Sequence, residues 1–194
     1  MSELATHDND TVRLPMSWET YDSLEYDDAI HGAEYVDGQL EMTPGFPDWG
    51  HQRAVFYLRD VLLSTVTGRE DVTAGFAWKP SDIAEEYGPD VMVCTVPEDP
   101  RRFTGVPLLC IEVTSGNRDN DLVRKRAKYA AGGLLDYWVV DRMDRALRCY
   151  QLRDGVLIES DTLWADEHPA PATDVTASYA GRSVRLDLVQ LFES

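Results

Sequence analysis

The chain has 194 residues, 43% hydrophobic and 27% charged. It is long enough to bury one domain's core and has the composition of an ordinary globular protein. No run approaches the roughly 20 apolar residues of a membrane-spanning helix, and the polar start "MSELATHDNDTVRLP" has no apolar signal core, so a cytoplasmic chain is expected. The net charge of −17 opposes nucleic-acid binding on average, and Cys94, Cys110 and Cys149, odd in number and without CxxC spacing, argue against a disulfide framework and a zinc site.

Residues 1–15 read as a loose tail, with a single domain over 16–194. Ser17 is an N-cap candidate for a short helix. "AEYVDGQLEMTP" (33–44) alternates around Asp37-Gly38, a hairpin signal. Residues 48–68 read as a helix with Val55, Leu58, Leu62 and Val66 on one face and Gly68 as its stop. Strands follow over 71–79, 90–95 and 107–114, and a second helix over 119–131 ends at Gly132-Gly133. "LDYWVVD" (135–141) is a buried strand, and 145–163 is a hairpin turning at Asp154-Gly155. A Pro/Ala-rich loop (169–173) precedes a last strand near 182–188. This order implies an α/β or mixed α+β fold, a sheet flanked by helices with additional hairpins.

The charge is unevenly spread. Residues 101–153 hold 11 Lys+Arg against 6 Asp+Glu, and the rest of the chain holds 7 against 29. The basic patch around the second helix is either a solvated face or a surface for phosphates.

Two carboxylates share a placement. Asp90 follows Pro89 at the start of "DVMVC", and Glu112 lies near the end of "LLCIEV". Adjacent strands would bring them together as a hard oxygen site for a cation such as Mg²⁺ or Mn²⁺. Glu112 and Thr114 face the same way, and the threonine stands where an E-x-K nuclease carries its lysine. Asp121, Lys125 and Tyr129 are spaced i, i+4, i+8 on the helix. Lys125 is either an ordinary partner of Asp121 on a solvated face or a cation reaching a cleft at the sheet end. At about 100° per residue it lies far from a Val123–Ala127–Ala130 stripe, which favours the solvated reading. His51, near the start of the first long helix, reads as a cap or buried hydrogen-bonding histidine.

"YGPDVMVC", "LLCIEVTS" and "DLVRKRAKYAAGGLLDYWVVD" together resemble the Uma-two family of restriction-endonuclease-like proteins, within the PD-(D/E)XK nuclease superfamily. The matching positions are Pro89-Asp90, Glu112 to Ser115, Asp121, Lys125, Tyr129, Gly133 and Tyr137-Trp138; upstream, "AEYVDGQLEM" resembles the family's first hairpin and His51 its following histidine. The resemblance covers roughly residues 30–160. It implies a restriction-endonuclease-like core, Asp90 and Glu112 as metal ligands, a catalytic lysine supplied from the helix as Lys125, and Glu34 as a further acid of the site.

The expectation is therefore a Mg²⁺-dependent DNA endonuclease, cytoplasmic and homodimeric, in which the Val113 carbonyl adds a metal ligand and Arg124, Arg126 and Lys128 contact phosphates. Two other readings stand beside it: a non-catalytic binding protein on the same fold, and a metal-dependent hydrolase of a small phosphoester. Two departures from the family pattern are Gln39, where the hairpin carries a second glutamate, and the acidity of residues 1–50.

Overall fold

The computed structural model describes residues 11–24, 33–43, 46–114, 120–167 and 174–193. In chain order the strands are β1 (Val12–Pro15), β2 (Ala33–Val36), β3 (Gln39–Met42), β4 (Glu70–Ala74), β5 (Ala77–Trp78), β6 (Val91–Thr95), β7 (Arg102–Phe103), β8 (Leu109–Val113), β9 (Asp136–Asp141), β10 (Ala146–Arg153), β11 (Val156–Trp164), β12 (Asp174–Tyr179) and β13 (Arg182–Asp187). The helices are α1 (Trp18–Ser23), α2 (Trp49–Leu63), α3 (Arg126–Ala131) and α4 (Leu188–Phe192). A wide π turn, Asn120–Lys125, leads directly into α3.

The central sheet has six strands in the order β11-β10-β9-β8-β6-β4. All its neighbours are antiparallel except β8 and β9. A parallel pair needs a crossover, and the segment carrying the π turn and α3 supplies it.

Side-chain alternation divides the sheet between two cores. Val91, Val93, Leu109, Ile111, Trp138 and Val140 face one side, with α2, α4 and the β12–β13 hairpin. Met92, Cys94, Cys110, Tyr137 and Val139 face the other, with Trp78, Tyr129, Ala130 and Leu134. The three cysteines are buried and free. At the end of α3 the chain runs close to β5: a Cβ added at Gly132 would lie 2.8 Å from the Trp78 ring and 2.9 Å from Pro80. Only glycine allows that approach.

A smaller sheet, β1-β3-β2, packs Tyr21, Tyr35 and Leu40 together with Trp18. Asp37 and Gly38 both take positive φ, 54° and 75°, as a tight hairpin requires. Paired 2.9 Å backbone hydrogen bonds between Tyr35 and Glu86 fix this sheet to the segment leading into Asp90. Among the described residues no helix is long and apolar enough to cross a membrane.

Several elements differ from the sequence expectation. Residues 12–15, expected within a loose tail, pair with β3. The strand expected over 71–79 breaks at Gly75, whose φ of 61° interrupts the extended backbone between β4 and β5. The first long helix ends at Leu63, five residues before Gly68. The final strand has a partner, β12, joined to it through Ala180-Gly181.

Candidate active site

The site begins with strand register. In the β6–β8 ladder Val91 pairs with Ile111. One step further, Asp90 comes opposite Glu112, so both acids stand at the same end of the sheet. Their surroundings differ. Asp90 is partly open, and its Oδ2 accepts the Val113 N–H at 2.7 Å and contacts His51 Nε2 at 3.1 Å. Glu112 is 2% exposed. Its Oε1 accepts the Tyr129 hydroxyl at 2.5 Å, and its Oε2 is 2.9 Å from Lys125 Nζ.

Lys125 therefore leaves the solvated face. Val123 is 60% exposed and Ala127 is also outward, whereas Tyr129 and Ala130 are buried and Leu122 packs on the core. The inward stripe runs Leu122, Lys125, Tyr129, and the lysine points inward with it. The buried stripe passes through Leu122 and Tyr129, not through Val123 and Ala127. A π turn adds its own distortion, and such turns recur at functional sites. The expected Asp121–Lys125 pairing lies outside the described side chains.

Glu34 completes the cluster from β2. Its Oε1 accepts the Gly88 N–H at 2.9 Å and lies 3.6 Å from Lys125 Nζ. The ammonium is thus held between Glu112, from the sheet, and Glu34, from the hairpin. Thr114 supplies no charge; its hydroxyl donates to the Val140 carbonyl at 3.1 Å and accepts the Arg142 N–H at 2.9 Å.

His51 belongs to this constellation, and sequence spacing gave no sign of its partner. Asp48 caps α2 by accepting the His51 N–H at 2.9 Å, and it also takes both guanidinium nitrogens of Arg142 at 2.8 and 2.9 Å. The helix start is pinned to the end of β9, which brings the imidazole to Asp90. Burial pushes the His51 pKa down, but the bond to Asp90 and its charge outweigh this and leave it raised. Tyr129 is held well above its ordinary pKa by burial and then by the Glu112 charge, so it acts as a hydrogen-bond donor to Glu112.

The basic side chains expected to meet phosphates have protein partners. Arg124 binds Glu41 through two nitrogens, at 2.7 and 2.6 Å, and Arg13 shares that carboxylate at 3.1 Å. Lys128 contacts Asp37 and, at 2.9 Å, Glu85. The Arg126 guanidinium lies over the Tyr150 ring at 5.2 Å. The β2–β3 hairpin therefore presents carboxylates where a strip free to bind phosphates was expected.

Among the described residues, no three His, Cys, Asp or Glu side chains gather closely enough to form a metal cage. A cation here would rest on two carboxylates with carbonyl and water oxygens. That donor set suits Mg²⁺, which keeps several waters and takes one or two carboxylates.

The six-stranded mixed sheet flanked by helices is a nuclease-type fold, with paired acids at one sheet end and a lysine delivered from a helix. Its fold matches a crystal structure described as a "putative nuclease belonging to DUF820" from Anabaena variabilis, with a TM-score of 0.69, 13% identity, and coverage of 92% of this chain and 98% of that one. No curated protein matches the chain. The sequence matches the Uma2 family, described as "Putative restriction endonuclease", over residues 18–178. The chain belongs to that family.

Proposed function

We propose that the protein is a metal-dependent DNA endonuclease of the PD-(D/E)XK type, with its lysine supplied from the π turn before α3. The observation that carries this reading is the convergence of Lys125, Glu112 and Glu34 at the sheet end that also bears Asp90. Asp90 and Glu112 would hold the cation through their carboxylates. Thr114 N–H pairs with the Val140 carbonyl across β9, so strand alternation turns the backbone groups of Val113 to the opposite side, toward Asp90. Its carbonyl would supply the third protein oxygen. A bound Mg²⁺ or Mn²⁺ would lower the pKa of an attacking water and polarise the phosphoryl oxygen.

The protein's own groups set the geometry. His51 and the Val113 N–H orient Asp90, and Tyr129 orients Glu112. Glu34 keeps the Lys125 ammonium at the sheet end, where it stabilises the water and the charge developing on the phosphoryl oxygens. Arg124, Arg126 and Lys128 contact phosphates after DNA has displaced their carboxylate or ring partners. In this reading the protein works in the cytoplasm as a homodimer.

The ion pairs of Arg124 and Lys128 support a second reading, in which the substrate is a small phosphoester that needs no extended basic track. Incubation of supercoiled plasmid with and without Mg²⁺ or Mn²⁺, alongside Asp90→Ala, tests the proposal. Metal-dependent nicking that Asp90→Ala abolishes is expected. Cleavage of a small phosphodiester with no nicking would favour the second reading, and nicking by Asp90→Ala at the native rate would reject this metal site.

A further inference from the structure

The outer face of α2 is patterned against its surroundings. Its inward face buries His51, Ala54, Val55, Leu58 and Leu62. At about 100° per residue Trp49, Phe56 and Leu63, spaced i, i+7, i+14, form a stripe on the opposite face, beside Arg53 and Asp60. A surface helix normally carries polar residues there, yet Trp49 is 73% exposed, Phe56 57% and Leu63 36%. The seven-residue spacing is that of a helix–helix seam.

We infer that this stripe is a self-association surface on which α2 of a second copy of the chain packs antiparallel. Phe56 is the midpoint of the 15-residue helix. A two-fold axis through it sets Trp49 against the partner's Leu63 at both ends. The flanking charges fit this arrangement. Arg53 and Asp60 are both exposed and share one flank of the stripe, on opposite sides of the midpoint. In an antiparallel pair like flanks meet, so each Arg53 faces an Asp60 across the seam. Such closed, self-complementary contacts are the commonest route to dimers.

The seam is about 22 Å long, short for the roughly 1,600 Å² of a standard interface. Association is therefore expected to be weak and to show on concentration. Because α2 also brings His51 to Asp90, the partner would stiffen the helix that orients that acid.

The test is sedimentation velocity of the full chain from micromolar to submillimolar concentration, with intrinsic tryptophan fluorescence read in parallel. The native chain should shift from monomer to dimer, with the emission moving to the blue. Phe56→Glu should weaken association by at least about tenfold while leaving the circular dichroism unchanged. Arg53→Asp and Asp60→Arg should each weaken it, and the double exchange should restore it. A native chain that stays monomeric overturns the inference, as does a Phe56→Glu variant that dimerises like the native chain. Failure of the double exchange to restore association overturns the antiparallel register. Quenching of Trp49 by single-stranded DNA on a monomeric chain would assign the face to nucleic acid instead.

Discussion

Lys125 Nζ lies 2.9 Å from Glu112 Oε2, with only 17% of the lysine side chain and 3% of the glutamate side chain exposed. Two opposite charges this far from water are held by geometry and by further bonds, not by surface attraction alone. Tyr129 supplies one of those bonds and Glu34 another contact. Removing any one member therefore leaves a buried polar group short of a partner.

Tyr129→Phe isolates that effect. The ring keeps its edge contacts with Trp78, Tyr87 and Tyr137, and only the hydroxyl that donates to Glu112 is lost. A buried acceptor left unsatisfied costs about 1–3 kcal/mol. Urea denaturation should show a loss of that size with an unchanged m-value. A change below about 0.5 kcal/mol, the usual scale for a site away from such features, would mean that the hydroxyl does not support Glu112.

The Glu41–Arg124 pair bears on substrate binding. If the hairpin carboxylates compete with DNA phosphates for Arg124, then Glu41→Gln should raise DNA affinity and steepen the salt dependence by about one unit of log–log slope. Arg124→Gln should weaken binding less in the native background than in Glu41→Gln, because native Arg124 is already partnered. Fluorescence anisotropy at several salt concentrations in Ca²⁺, chosen to limit turnover, reads both. Equal slopes in all variants would remove Arg124 from the DNA surface.

Asp48 gives a pH signature. Its hydrogen bonds to Arg142 and to the His51 N–H depress its pKa from 3.8 to about 2. A depressed carboxyl stabilises the fold fully above its unfolded value and loses that contribution as pH falls through the folded one. The stability difference between native and Asp48→Ala should therefore be present above about pH 4 and shrink as pH drops toward 2. Loss of a helix N-cap costs about 0.5–2 kcal/mol. A difference that persists undiminished at the acid end would assign the effect to helix propensity, not to the ionised cap.

Much of the frame was legible because local chemistry decides it. Asp37-Gly38 and Asp154-Gly155 form their turns with positive φ at both residues, and alternation located β6, β8 and β9. Elements whose formation depends on distant partners were not legible. Val12–Pro15 carries no buried position to betray a strand and forms one only because β3 offers an edge. The β12–β13 turn uses Ala180-Gly181, with φ of 46° and 72°, where no Asn or Asp marks the bend.

The site divides the same way. Asp90 and Glu112 could be set side by side from strand ends alone. The inward direction of Lys125 depended on Leu122 and Tyr129 defining the buried stripe in place of Val123 and Ala127. His51 needed a partner 39 residues away, and Glu34 needed the Gly88 N–H 54 residues away. Periodicity carries no information at those separations.

The most direct measurement is the single-turnover cleavage rate of Lys125→Ala against the native chain, with Mn²⁺ binding followed by calorimetry on the same samples. Lysine is not a ligand in this account, so Mn²⁺ should still bind, within a few-fold of native affinity. The rate should fall by about two to three orders of magnitude, the scale for losing one preorganised donor. A rate within a few-fold of native, on a folded variant that binds Mn²⁺ normally, would contradict the assignment of Lys125 as the helix-borne catalytic cation.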